Sequence, residues 1–180
     1  MNGNATVLKQ AAVGDQYILS GRSDHDRLRM LSEMHDSETR TLLRRAGFSP
    51  ACRFVEFGCG MGYVTCWAAS EGAHATGIDV NEEHVQKSQQ LARQQGLGNA
   101  NFRCANIYEP RLEEESFDIA YCRWLMVHLR RPVEAMRIIY RAHGVRGNGS
   151  ERHLLGAPLG GLRGSARDLP ACRPGSRGRL

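Results

Sequence analysis

The sequence predicts an α/β domain built on a parallel sheet, and three observations support this prediction. Short apolar runs alternate with helical periods of about 10 to 15 residues between residues 24 and 143, which is typical of βαβ units. Glycines fill every second position of "GCGMG", residues 58–62, directly after the first apolar run. No run reaches the roughly 18 apolar residues of a membrane span, so no membrane segment is expected.

The predicted elements follow one another in a regular order. "DHDRLRMLSEMHDSETRTLLRRAG" has leucines at helical spacing and predicts a helix or a helix pair that Gly47 ends. The strand "ACRFVEF" and the helix "GYVTCWAASEG" come next, followed by the strand "HATGIDV". "NEEHVQKSQQLARQQG" predicts a helix with Asn81 as its N-cap and Gly96 at its end.

Two more strands, "NFRCA" and "FDIAYC", precede the last predicted helix, "RRPVEAMRIIYRAH". Pro132 suits the first turn of that helix, where its missing N–H has no partner in any case. The helical spacing predicts one apolar face made of Val133, Met136, Ile139 and Tyr140. The sequence therefore predicts four strands in total.

The regular pattern stops after residue 143. Residues 144–180 hold nine of the 20 glycines and three of the six prolines, so we expect this segment to be disordered. The net charge of +5 belongs to the same region, because residues 141–180 carry +6 and the first 140 residues carry −1. No aromatic residues lie among these arginines, so nucleic-acid binding is not expected.

The six cysteines are scattered singly, without a CxxC pair or the spacing of zinc ligands. We therefore expect no metal site. Unpaired thiols are typical of a reducing compartment, so the cytoplasm is the expected location.

The glycine turn indicates a ligand site. Glycine permits positive φ and a close approach of the ligand to the backbone, and the following helix directs its N–H groups at the same space. Asp79, at the end of the second strand, can accept both hydroxyls of a ribose. A dinucleotide-binding domain would share these features, but the spacing here is GxGxG, with Tyr63 at the place of the third glycine of that fingerprint. Glu56, just ahead of the turn, favours a ligand with an ammonium group.

Four segments together resemble the class I S-adenosylmethionine-dependent methyltransferases: "VEFGCGMG", "GIDVNEEHV", "FRCANIYEP" and "FDIAYCRWLMVHLRRP". The resemblance covers about residues 17–143 and includes "YILSGRSDHDRLRML", which is similar to the first segment of methyltransferases of the ubiquinone/menaquinone type. It implies a Rossmann-like sheet, S-adenosylmethionine as cofactor and a small-molecule methyl acceptor. The implied division of the chain is an amino-terminal segment 1–23, a cofactor-binding domain 24–143 and a tail 144–180.

The resemblance also implies roles for individual residues at the cofactor. Glu56 would meet the amino group of the methionine part, and Asp79 would bind the ribose diol. The other residues implied at the cofactor are Tyr17, Arg27, Gly58, Cys59, Gly60, Val80, Asn106, Ile107, Cys122 and Arg123. Asn106 stands where the family often has an aspartate, and its side-chain oxygen can accept the same bond from the adenine amino group.

His128 is the candidate general base for acceptors that must lose a proton. It can equally be a structural residue of the loop after the fourth strand.

The chain departs from the family after residue 143. The family's fold has seven strands, whereas the sequence shows four and lacks the expected "Pro-Gly-Gly" turn and fifth strand. We hypothesise that residues 144–180 come from a shifted reading frame or a truncation, because their composition is that of GC-rich codons. A catalytically impaired cofactor-binding fragment is therefore an alternative to an active methyltransferase. A nicotinamide-dependent oxidoreductase is a further alternative.

Overall fold

The computed structural model describes residues 22–113, 116–143 and 154–157. The described elements are α1 (Arg22–Arg45), β1 (Arg53–Phe57), α2 (Tyr63–Ser70), β2 (His74–Asp79), α3 (Glu82–Gln94), β3 (Ala100–Cys104), β4 (Ile119–Arg123), a 3₁₀ turn (Met126–His128), α4 (Pro132–Ala142) and β5 (Leu154–Ala157). The parallel α/β architecture and the four predicted strands are confirmed. The first predicted helix is a single helix of 24 residues.

All strands pair in parallel in one sheet, with the order β3-β2-β1-β4-β5. The chain leaves β1 towards β2 and β3 on one side, and later returns to place β4 on the other side. The order therefore reverses between β1 and β4, and ligands of open α/β sheets bind in the crevice beyond the carboxyl ends of the strands at such a point.

The expectation of four strands needs one correction, because a short fifth strand, Leu154–Ala157, pairs with β4. A parallel edge strand gains a full ladder of hydrogen bonds from any extended neighbour, and no local sequence pattern is needed for that pairing. The expectation of disorder for the rest of 144–180 lies outside the described residues, as does Tyr17.

The core lies on both faces of the sheet. One face packs Phe54 and Tyr121 against Phe48 of the loop after α1 and Trp67 of α2. The other face packs Val55 and Phe57 of β1 with residues of α4 and β4. Because successive side chains of a strand point to opposite faces, β1 is buried on both sides, as expected of a central parallel strand.

The predicted apolar face of α4 is partly wrong. Ala135, Ile139 and Ala142 are the buried residues of this helix, whereas Val133 is 64% exposed and Tyr140 is 37% exposed. The buried set follows the spacing i, i+4, i+7, which is one face of a helix with 3.6 residues per turn. Val133 precedes Ala135 by two positions and therefore points to the opposite side.

None of the described helices is both long enough and apolar enough to cross a membrane.

Candidate functional site

The glycine turn joins β1 to α2 with three residues in the left-handed region. Gly58, Gly60 and Gly62 have φ of 70°, 52° and 72°, a conformation that glycine adopts without the steric cost of a Cβ. The N–H groups of Gly58 and Cys59 both donate to the carbonyl of Ile78, at 2.8 and 3.0 Å. These bonds hold the turn against the end of β2.

Gly62 is required for packing as well as for its backbone angle. A Cβ at this position would lie 2.7 Å from Cε1 of Phe102 and 2.8 Å from the Ser88 side chain. Both neighbours are buried, so neither can move away easily. The third glycine therefore lets α2 and the turn approach α3 and β3.

Asp79 ends β2 and connects three parts of the site. Its Oδ2 accepts a hydrogen bond from Gly60 N at 2.8 Å, and its Oδ1 accepts one from Asn81 N at 2.9 Å. Asn81 in turn caps α3, because its Oδ1 accepts from Glu83 N at 2.9 Å. The predicted N-cap is confirmed. A carboxylate has about four lone-pair directions, so Asp79 keeps acceptor capacity for a ligand in the cavity that it lines.

Glu56 is a buried carboxyl group, 5% exposed, on β1, which pairs with β2. Its Oε2 accepts hydrogen bonds from Thr65 Oγ1 at 2.6 Å and from Thr65 N at 3.0 Å. Burial raises the Glu56 pKa to about 8, although the Thr65 hydrogen bonds and the nearby Arg123 charge favour the ionised form. At neutral pH this group therefore carries a proton, and an approaching cation would favour its loss.

The cavity beyond the carboxyl ends of the strands has one apolar wall and one wall with polar and charged side chains. Val80 and Ile107 line its apolar part, between the ends of β2 and β3. Arg27 of α1 and His128 of the 3₁₀ turn line the same cavity. Cys59, which is 7% exposed, lines a smaller adjoining cavity together with Glu56, Gly58, Gly60 and Arg123.

Arg123 connects the end of β4 to the middle of α1. Its guanidinium donates to Asp36 Oδ1 at 2.8 Å and to Thr39 Oγ1 at 2.9 Å, and both members of the ion pair are about 10% exposed at the side chain. The next residue, Trp124, has a φ of 55° and lies under the guanidinium, 4.7 Å from Cζ to the ring centroid. An L-residue with a side chain rarely adopts this φ, and such local strain concentrates at functional sites.

Two of the predicted site residues lie away from the cavity walls. Cys122 is 4% exposed within β4, and burial raises its pKa to about 12. Asn106 uses its Oδ1 to accept a hydrogen bond from Tyr108 N at 3.0 Å. Among the residues that the structure describes, neither lines the two cavities at the glycine turn. Their predicted contacts with the cofactor stay predictions.

Several residues that the fold brings to this cavity were not predicted from the sequence. Asp24 and Leu28 of α1 and His84 of α3 line the main cavity. Asp24 and His84 are 60 positions apart in the chain, and nothing local links them. A weak signal existed for His84 alone, because it lies on the same face of α3 as the buried Val85 and Ser88.

The described residues contain no cluster of three or more histidine, cysteine, aspartate or glutamate side chains suited to a metal ion. The chemistry of the site fits S-adenosylmethionine instead. A carboxyl group that accepts backbone bonds of the glycine turn suits the ribose, and a buried carboxyl group that a neighbouring cation would ionise suits an ammonium group. Apolar walls at Val80 and Ile107 suit the adenine. Fold and site thus define a class I S-adenosylmethionine-dependent methyltransferase, and that class uses S-adenosylmethionine as its cofactor.

Comparison with known proteins agrees with this class. Residues 55–148 match the family model described as a methyltransferase domain, which is more than half of the chain. The chain therefore belongs to the methyltransferase-domain family, and the predicted class and cofactor are confirmed.

Two curated relatives cover different lengths of the chain. The O-antigen chain terminator bifunctional methyltransferase/kinase WbdD of Escherichia coli is 30% identical over 127 residues, which are 68% of this chain and 17% of the relative. The ubiquinone biosynthesis O-methyltransferase of Coxiella burnetii is 33% identical over 78 residues, which are 43% of this chain and 33% of the relative. The chain thus spans a third or less of these two proteins.

Two solved structures share the fold. The [4+2]-cyclase SpnF matches with a TM-score of 0.56 and 25% identity, over 61% of this chain and 41% of that chain. A SAM-dependent methyltransferase from Aquifex aeolicus matches with a TM-score of 0.54 and 18% identity, over 58% of this chain and 57% of that chain. The second match supports the fold alone.

Proposed function

We propose that this chain is an S-adenosylmethionine-dependent methyltransferase that transfers a methyl group to a small-molecule acceptor. One observation carries the proposal: two carboxyl groups in different environments flank one glycine turn. Asp79 is held by backbone N–H groups, whereas Glu56 is buried with a pKa of about 8. A ligand with a ribose diol at one end and an ammonium group at the other satisfies both groups.

The methionine end of the cofactor is assigned to Glu56 and the glycine turn. Glu56 lines the smaller cavity together with Gly58, Cys59 and Gly60, so its carboxyl can meet an ammonium group there. The ion pair would form away from bulk water, where a charge-assisted hydrogen bond is stronger than between neutral groups. The glycines contribute by leaving the backbone uncovered.

The adenosine end is assigned to the main cavity. Asp79 would accept the ribose hydroxyls, with Val80 and Ile107 on the two sides of the adenine. Asn106 directly precedes Ile107 in the chain, and Ile107 lines this cavity. We assign Asn106 to the adenine amino group on the family resemblance.

The acceptor side is assigned to the end of β4 and the turn after it. Bound S-adenosylmethionine supplies an activated methyl group on a sulfonium centre. The chain contributes by positioning the acceptor and excluding water, and the wall of Arg123 and Trp124 suits that task. His128 lines the same cavity and would take the proton from acceptors that must lose one. Arg27, Cys122 and Tyr17 stay predicted residues of the site.

The names of the two relatives indicate two candidate classes of acceptor. The Coxiella burnetii relative is named a ubiquinone biosynthesis O-methyltransferase, which supports a small-molecule acceptor. The Escherichia coli relative is named for the O-antigen chain, which makes a glycan the second candidate acceptor.

We place the protein in the cytoplasm, because the described cysteines are unpaired thiols. Residues 24–143 are proposed as the cofactor-binding domain.

A chain that binds the cofactor without methyl transfer is the second candidate. The similarity to SpnF favours it, because that protein is named a cyclase although it shares this fold. Cofactor binding with no methylation of any quinone, phenol or glycan acceptor would support this alternative.

Calorimetric titration with S-adenosylhomocysteine tests the proposal. We expect saturable binding by the wild-type chain and at least about 100-fold weaker binding by Asp79→Asn, because the amide carries no charge and replaces one of the two acceptor oxygens with a donor. Asp118→Asn is the matched control, since Asp118 accepts from Arg53 N at 2.8 Å at the opposite edge of the sheet. Equal loss in both variants, or no binding by the folded wild-type chain, would overturn the assignment.

A further inference from the structure

A buried histidine lies between two carboxylates at the edge of the cofactor cavity. His84 Nε2 is 2.9 Å from Asp24 Oδ2, and His84 Nδ1 is 3.8 Å from Asp79 Oδ1. The three side chains are 8%, 2% and 12% exposed, respectively. This row joins the first turn of α1, the start of α3 and the end of β2, three elements that are distant in the sequence.

The first turns of α1 form one wall of the cavity. Leu28, one turn after Asp24, lies against the glycine turn, and a Cβ on Gly60 would be 3.4 Å from Leu28 Cδ1. Arg27 and Leu28 both line the cavity. The position of α1 therefore affects the shape of the site, and the Asp24–His84 contact is one of its links to the rest of the domain, besides Arg123 at the middle of the helix.

We propose that His84 is a positioning residue, which anchors α1 over the cofactor cavity through Asp24 and orients the Asp79 carboxylate for the ribose. This inference rests on the proposed function for the identity of the ligand. The hydrogen bond to Asp24 holds the helix. The approach of Nδ1 to Asp79 places positive charge beside the oxygen that does not bond to Gly60 N.

The two flanking carboxylates favour a protonated imidazole, because the cation offsets the charge of both. Burial alone lowers the pKa of His84, but Asp79 and Asp24 outweigh burial and the pKa lies above its ordinary value of 6.5. Other charged groups are close: Arg27 pairs with Asp24, and His25 lies 5.9 Å from the His84 ring and pairs with Glu83.

The sign of the pH effect follows from the raised pKa. The cation stabilises the docked α1 fully below pH 6.5, and this contribution is lost as the pH rises through the raised pKa. Deprotonation would leave the two carboxylates without a charge between them. The docked helix should then open more often.

The test compares His84→Gln with the wild-type chain at pH 6 and pH 9, using S-adenosylhomocysteine affinity as the first readout. Glutamine keeps a donor for Asp24 but carries no charge. We expect His84→Gln to bind about 10-fold more weakly than wild type at pH 6 and less than about 3-fold more weakly at pH 9. Using the ratio of the two chains cancels the separate pH dependence of Glu56. His74→Gln, an exposed histidine at the start of β2, should match wild type at both values.

Hydrogen exchange of the α1 amides without ligand is the second readout. We expect faster exchange in His84→Gln than in wild type at pH 6, after correction for intrinsic rates, and no difference at pH 9. Asp24→Asn removes the charge at the other end of the contact and should reproduce the result if His84→Gln fails to fold.

The outcomes separate the inference from the proposed function. An affinity ratio that is equal at both pH values, with unchanged exchange, would overturn the role of His84 even though the ligand binds. No binding by the folded wild-type chain would overturn the proposed function. In that case the exchange data alone decide the anchoring of α1: equal exchange refutes it, and a difference confined to pH 6 supports it.

Discussion

Phe54 and Glu56 lie two positions apart on β1, point to the same face of the sheet and are both almost fully buried. Phe54 packs between aromatic rings, with centroids 6.1 Å from Phe48 and 6.3 Å from Tyr121. Glu56 is also buried but accepts hydrogen bonds from the hydroxyl and the amide of Thr65, and burial raises its pKa to about 8.

The comparison shows that one strand serves two purposes along its length. The middle of β1 stabilises the fold by excluding water around apolar groups. The carboxyl end carries an acid whose ionised form burial disfavours unless a cation lies beside it. Proteins retain such unfavourable groups at binding sites, where a ligand compensates them. Substitution of Phe54 in the aromatic region should therefore lower the stability of the fold, whereas substitution of Glu56 at the carboxyl end should raise it at alkaline pH.

Phe54→Ala should give the largest change in stability. Removing a fully buried ring from this cluster is expected to lower the free energy of unfolding by about 4 kcal/mol. Denaturant unfolding measures the loss, and Phe54→Leu should lose less because it keeps most of the volume. Because the ring lies below the site, the affinity of the remaining folded protein for S-adenosylhomocysteine should change little. A large loss of affinity would show that the two regions are not separate.

Glu56→Gln should do the reverse and stabilise the chain at alkaline pH. The folded state keeps its proton up to about pH 8, whereas the unfolded state loses it near 4.5, so the wild-type chain becomes less stable as the pH rises between these values. Each pH unit is worth at most about 1.4 kcal/mol, and local relaxation reduces this. We expect a gain of about 3 kcal/mol at pH 9 and none at pH 4, measured by denaturant unfolding.

The matched control for Glu56→Gln is the same pair of measurements on Glu71→Gln, whose carboxylate pairs with Arg44 on the surface. That variant should show no gain at pH 9. A Glu56→Gln chain whose stability follows the wild-type pH profile would refute the contrast drawn for β1.

Gly62→Ala, in the glycine turn, should lower the free energy of unfolding by less than Phe54→Ala, and Gly96→Ala provides the comparison. Gly62 and Gly96 have similar φ of 72° and 67°, but only Gly62 has neighbours in the path of a Cβ. Alanine should cost about 1 kcal/mol at Gly96, from the backbone alone. At Gly62 we expect about 2 kcal/mol more, because Phe102 and Ser88 must move. Equal losses, measured by thermal unfolding, would show that the turn adapts without strain.

Local patterns in the sequence predicted the parts of the fold that depend on local chemistry. The glycine turn, the N-cap Asn81 and the four strands each have their cause within a few residues. The Asp24–His84 and Asp36–Arg123 contacts were not predictable, because they join side chains 60 and 87 positions apart. The buried face of α4 was misjudged for a related reason: the partner surface, and not the apolar count, selects which residues are buried.

The most direct test of the site is proton release during S-adenosylhomocysteine binding at pH 7. Calorimetry in two buffers of different ionisation enthalpy measures it. A pKa of about 8 leaves Glu56 mostly protonated in the free chain, and an ammonium group beside it should drive that proton off. We predict release of nearly one proton by the wild-type chain and none by Glu56→Gln. Binding without proton release by the wild-type chain would contradict the assignment of Glu56 to the amino group.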